Sequence, residues 1–234
     1  MFRLFNTPVW FHGWDILVEA VILLVVLLIA AYSWRIYKFN HENRFAYFSL
    51  AFIFLALGLL FEMLTSGIVY FTPVRDVAAD VLRPVAGPRL VFSGLLYRGG
   101  FFLQMAPILG AWLLIFFISQ KPRERLRKFY ELSQIALFVY LILLISIVSN
   151  FKYFVFYLTS AVLLGLIVLN YYKNYLENNN QHTYRIMLAF LLILASNILL
   201  VFVFLVPSLY VLGEIVALAG FLLLLYTYNS ITAR

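Results

Sequence analysis

Seven runs of mostly apolar residues dominate the 234-residue chain: Trp14–Trp34, Phe45–Ser66, Gly99–Ser119, Leu132–Ser149, Tyr153–Tyr171, Ile186–Val206 and Tyr210–Tyr228. Each is close to the roughly 20 residues that carry a helix across the hydrocarbon core of a bilayer. None shows the apolar/polar alternation of a barrel strand, so strands are excluded and helices expected. With 65% apolar and only 12% charged residues, the composition also excludes a soluble domain. The fold class expected is all-α, a single seven-helix transmembrane domain over residues 1–234. The first run is longer than a signal-peptide core and has acids at its start, so it reads as a span.

Orientation follows from Lys and Arg. Arg35, Lys38, Arg44, Lys121, Arg123, Arg125, Arg127, Lys128, Lys173, Arg185 and Arg234 share one side, eleven in all. Arg3, Arg75, Arg83, Arg89 and Lys152 share the other, with Arg98 at the border. Cytoplasmic loops collect the excess of positive charge, so the N-terminus is expected outside and the C-terminus inside, in the cell membrane. The net charge of +7 is accounted for in this way, and a nucleic-acid partner is not expected. Cysteine is absent, which excludes disulfides, thiol nucleophiles and Cys-based metal sites.

The connections are short, except one on the outer side. There Val74, Val77, Ala78, Val81 and Leu82 recur at helical spacing with Arg75, Asp76, Asp80 and Arg83 opposite. Residues 74–83 are therefore expected to form an interfacial amphipathic helix. On the inner side, Lys121, Arg123, Arg125, Arg127 and Lys128 form a basic loop suited to anionic lipid or a cytoplasmic partner.

Spans 1–2 overlay on spans 5–6 at a separation of 138 residues. Arg35, Tyr37 and Asn40 fall on Lys173, Tyr175 and Asn178, and Leu50-Ala51-Phe52 falls on Leu188-Ala189-Phe190. Gly110 and Gly220 align spans 3 and 7 loosely. Both pairs cross in the same direction, so a parallel 3+1+3 repeat is expected, with span 4 as the linker. The outline resembles the microbial opsins and the triple-helix sugar transporters. It departs from opsins because Lys38, Lys121, Lys128, Lys152 and Lys173 all lie in loops or at span ends, leaving no retinal lysine in span 7. It departs from the transporters because Pro107 is the one proline well inside a span. The stretch YSWRIYKFNHENRFAYFSLAFIFLALGLLFE resembles the first inner loop and second helix of prokaryotic seven-helix sensory input modules. That resemblance implies a sensor, and since only Thr227–Arg234 follows the last span, one that signals through a separate membrane or cytoplasmic protein partner.

Ionisable residues inside a membrane are costly and mark function by default. Glu19, Glu62 and Glu214 sit in spans 1, 2 and 7, each roughly 7 Å outward of its span centre at the helical rise of about 1.5 Å per residue. Gln104 shares their level, and Arg98 lies above it. These five residues form the candidate ligand- or ion-binding site, an outward-facing acidic pocket. Three carboxylates against one arginine do not balance, so a proton or a bound cation is expected. Small residues at Gly213, Ala217 and Gly220 mark close helix packing. No catalytic motif is present. His12, His41 and His182 lie outside span interiors, so neither a haem-ligand histidine pair nor any other cofactor is expected. The expected function is a membrane sensor or interaction subunit. The alternative is a small cation- or proton-coupled solute transporter, and an intramembrane enzyme ranks last. The sensor ranks ahead because the inner halves of the spans read as almost wholly apolar.

Overall fold

The computed structural model describes residues 8–11, 13–71, 73, 77, 92–120 and 153–232. Among these, six helices are long and apolar enough to cross a membrane, and no strand occurs. They are α1 (Trp14–Asn40), α2 (Asn43–Tyr70), α3 (Phe92–Ser119), α4 (Tyr153–Asn178), α5 (Gln181–Val201) and α6 (Ser208–Thr232). The fourth expected span (132–149) and the basic loop lie outside the described residues. So does the amphipathic segment (74–83), apart from Val77.

The helices outrun the apolar runs, because hydropathy marks the hydrocarbon and capping marks the helix. α1 continues six residues past Trp34 and stops where His41 turns left-handed (φ 53°), its N–H bonded to the Tyr37 carbonyl at 2.8 Å. α3 starts at Phe92, seven residues before Gly99, and runs unbroken through Pro107. α5 is displaced by five residues at each end from the expected 186–206. Its start is set by Asn180, whose side chain accepts from the His182 N–H at 2.9 Å. At its far end the apolar Phe202–Leu205 is a turn ahead of Pro207.

Each helix packs on the next, and α6 closes on α1, making a six-membered ring. Contacts fix the directions. The Ser49 hydroxyl near the start of α2 donates to the Ala30 carbonyl of α1 (2.9 Å), and the Arg44 guanidinium donates to the Ile118 carbonyl at the end of α3 (3.0 Å). α1, α2 and α3 therefore alternate. Tyr171 of α4 stacks on Phe190 of α5, and Arg185 near the start of α5 lies over the Tyr226 ring near the end of α6. α4, α5 and α6 alternate in the same way. α3 and α4, however, run parallel. Tyr153 donates to Gln104 at one end (3.2 Å), while Asn170 donates to the Ser119 hydroxyl at the other (2.9 Å). Asp15 and Glu19 mark one end of the ring, and Arg35, Lys38, Arg44, Lys173 and Arg185 mark the opposite end.

The two trios share local geometry. The second positive-φ residue outside glycine is Asn179 (φ 45°), 138 positions after His41, and its N–H bonds the Tyr175 carbonyl at 2.7 Å as His41 bonds Tyr37. The following caps, Glu42 and Asn180, have nearly equal dihedrals (φ −82°, ψ 115° and φ −89°, ψ 124°). Val25, Val26 and Ile29 are buried in α1, as are Leu163, Leu164 and Ile167 in α4. For α3 and α6 the matching separation is 109. Phe101, Ala111, Trp112 and Ile115 are buried in α3, as are Tyr210, Gly220, Phe221 and Leu224 in α6. These buried positions pair at 109, one residue off the separation of Gly110 and Gly220. A Cβ on Gly110 would meet only Phe54, at 3.9 Å, whereas one on Gly220 would stand 2.8 Å from Ile193 and 3.0 Å from the Ala189 carbonyl. The two glycines serve different packing needs.

The outer faces stay apolar. Leu17, Val21, Leu24 and Leu28 of α1, Leu57 and Leu64 of α2, and Leu158, Val162 and Leu169 of α4 are exposed. Such a belt around a helical ring suits lipid as solvent, since the backbone is satisfied within each helix. The protein is an integral membrane helical bundle. Because lipid supplies no hydrophobic drive between helices, cross-helix polar ties matter. Arg44→Ala should remove about 1–2 kcal/mol by deleting a charged donor to a main-chain carbonyl. Thermal unfolding in detergent checks this, with Arg35→Ala, whose parent guanidinium lies over the Phe39 ring of its own helix, as the control of smaller effect.

Candidate functional site

Residues from all six described helices line one cavity of about 80 Å³ inside the ring. α2 contributes Glu62 above Leu59 and Leu55, and α6 contributes Glu214 above Ala217 and Phe221. Trp112 of α3, Phe156 and Tyr157 of α4, and Ser196, Asn197 and Leu200 of α5 line the rest. Ile22 of α1 completes the wall, one turn below Glu19.

Position along each helix explains the convergence. Glu19, Glu62 and Glu214 lie at one depth on three helices adjacent in the ring, α1, α2 and α6. Glu19 and Glu62 are buried, and Glu214 is half-buried. The three carboxyls are close enough to interact electrostatically, Glu19 with both others and Glu62 with Glu214. The Tyr210 hydroxyl donates to Glu19 Oε1 at 3.4 Å, and the Gln104 amide lies within hydrogen-bonding reach of Glu62. Gln104 in turn accepts from Tyr153, so a polar chain joins α4, α3 and α2. Asp15 is also buried, but its carboxylate caps its own helix start, accepting from the Gly13 and Ile16 N–H groups at 2.7 and 2.9 Å.

The groups facing the three glutamates are thus carboxyls, phenols and an amide. No lysine or arginine side chain faces them among the described residues. Arg98 lies in α3, with its side chain outside the described residues. Lys121, Arg123, Arg125, Arg127 and Lys128 also lie outside. Two polar atoms at the site are buried and unpartnered: Glu19 Oε2 and the indole N–H of Trp112, a cavity-lining residue only 3% exposed. Each unmet group costs about 1–3 kcal/mol, which a guest in the cavity can recover. Three of these groups do not make a metal cage. Among the described residues, no three carboxylate or histidine groups gather tightly enough to hold a metal ion.

Toward the acidic end, Phe11, Leu200, Val203 and Tyr210 pack into a small apolar cluster above the cavity. Phe11 reaches it from the short turn Val9–Phe11 and meets Tyr210 edge-on at 6.4 Å. Toward the basic end, the bundle is more polar than the sequence suggests. Ser49, Arg44, Ser119, Asn170 and Asn174 all make cross-helix hydrogen bonds there. The reading of the inner halves as almost wholly apolar holds for the lipid-facing surfaces, not for these contacts.

Trp112, Phe156 and Tyr157 escaped the sequence reading because aromatic residues are abundant in every span. One signal could have found Tyr157: the separation of 138 places it on Glu19. The Asn197 amide donates to the Ile193 carbonyl of its own helix at 2.9 Å, and the residue lines the cavity. Comparison with family models, curated proteins and solved structures finds no match.

Proposed function

We propose that this chain is a seven-helix membrane receptor subunit that takes a small cation into a central acidic chamber and acts through a separate partner. The observation that carries the reading is the cavity itself. Six helices contribute to it, and the carboxyls beside it face neutral donors. A cation would balance that charge and give Glu19 Oε2 a partner. Glu62, Glu214 and Glu19 would bind it, with Gln104 holding Glu62 in place.

The parallel run of α3 and α4 supports the reading of seven crossings, in which the chain between them returns across the bilayer. With the basic end inside, a reporter fused after Gln120 should read cytoplasmic, one after Lys152 external, and one after Arg234 cytoplasmic again. A reporter after Lys152 reading cytoplasmic would refute the return crossing.

The cation site is tested by thermal unfolding of the purified protein in uncharged detergent with Na⁺, K⁺, Mg²⁺ and methylammonium. At least one should raise the midpoint, by a margin that disappears in Glu62→Gln/Glu214→Gln. A midpoint unmoved by all four contradicts the site.

A carrier is the second reading. It is favoured by the shared geometry of the two trios, since parallel repeats in transporters place substrate at their interface. Tracer flux in proteoliposomes separates the two: a receptor binds the cation without moving it.

A further inference from the structure

The cavity has two unlike walls, and we infer that they select a small organic ammonium ion over an inorganic cation. This inference rests on the chamber proposed above and names the chemistry of its guest. One wall carries Glu214 of α6 and Glu62 of α2, with Glu19 of α1 one turn beyond the lining residue Ile22. The other, from α3 and α4, carries Trp112, Phe156 and Tyr157. The shared geometry of the trios makes the contrast informative. The position of Glu19 in the first trio is held by Tyr157 in the second, and that of Glu62 by Leu200. At the separation of 109, Glu214 stands where α3 has Met105. Positions alike in depth thus differ in charge, and Glu19, Glu62 and Glu214 fall on three helices adjacent in the ring.

A bare metal ion trades its water for oxygen ligands and gains less from an aromatic wall, and the carboxyls of the described residues are not gathered closely enough to cage one. A protonated amine uses both walls. Its N–H groups can donate to carboxylates as charge-assisted hydrogen bonds. Its methyl or methylene groups carry part of the charge and are attracted to the faces of Trp and Tyr. A cavity of about 80 Å³ suits an ion of a few heavy atoms, such as methylammonium or dimethylammonium.

Binding is measured on the full chain in nanodiscs by calorimetry, with methylammonium, dimethylammonium, K⁺ and Na⁺ as probes. The two amines should bind at one site per chain, at least about tenfold more tightly than K⁺. Trp112→Leu should weaken the amines by about tenfold while weakening K⁺ much less. Glu62→Gln should weaken every cation. Trp112→Phe, which keeps an aromatic face, should retain most amine affinity and shows that the leucine variant is folded. K⁺ or Na⁺ binding as tightly as the amines would overturn the ammonium inference and leave the acidic chamber standing. Binding of no cation at all would overturn both.

Discussion

Gly58→Leu should abolish accumulation of folded protein, and Gly220→Leu should do nearly the same. A Cβ on Gly58 would collide with the Ile108 side chain and stand 2.9 Å from the Gln104 carbonyl. A Cβ on Gly220 faces Ile193 at 2.8 Å and the Ala189 carbonyl at 3.0 Å. Helix backbone cannot yield as a side-chain tip can, so each substitution pries a helix pair apart. The expected cost is about 3 kcal/mol for each, with the added leucine branches raising it. Gly165 provides the control, since nothing lies within 4 Å of its Cβ position. Gly165→Ala should be neutral or stabilise the helix by up to about 1 kcal/mol. Size-exclusion profiles and thermal midpoints in detergent read all three. Equal behaviour of Gly58→Leu and Gly165→Ala would show that α2 and α3 do not cross where described.

The second large effect contrasts two buried leucines. Leu200 lines the chamber across from Glu62, whereas Leu224 is fully buried near the basic end. A lysine at a buried intramembrane position without a counter-charge costs about 3 kcal/mol or more. Leu224→Lys should therefore fail to fold. Leu200→Lys places an ammonium on a tether within reach of the carboxyls, so it should fold, raise the thermal midpoint and abolish binding of free amines. If both variants fail alike, the carboxyls do not form an accessible negative chamber.

How much of this was legible in the residues depends on which force sets each feature. The six described helices were visible because burial in lipid demands long apolar runs, and Phe45–Ser66 and Tyr210–Tyr228 fall wholly inside α2 and α6. Three of their ends, at Trp14, Ser119 and Tyr153, coincide with the apolar runs, and the others were not visible. His41 and Asn180 terminate or cap through backbone geometry, and no hydropathy scale registers that. The expected relation between spans 1–2 and 5–6 rests on a few inner-turn matches, Tyr37 with Tyr175 and Asn40 with Asn178, and the left-handed residues His41 and Asn179 stand at the same separation.

The site was legible by half. Glu19, Glu62 and Glu214 stood out because charge is rare in a span, and their common depth foretold their proximity. Trp112, Tyr157 and Phe156 did not stand out. Their place on the cavity wall comes from which side of the ring of described helices they occupy, and a linear pattern of aromatic residues does not encode that. Arg98 was read as the counter-charge from depth alone, while the described groups that face the glutamates are Tyr210, Tyr157 and Gln104.

Cysteine chemistry offers the most direct measurement, because the chain has no cysteine of its own. Asn197→Cys puts a thiol on the chamber wall, and Leu57→Cys puts one on the lipid-facing surface. In membranes, the chamber thiol should react with a small cationic thiosulfonate far faster than with an anionic one of equal size. Adding Glu62→Gln/Glu214→Gln should erase that preference, and Leu57→Cys should react with neither reagent. A chamber thiol as inert as the lipid-facing one, or one indifferent to reagent charge, would contradict a central acidic chamber that admits cations.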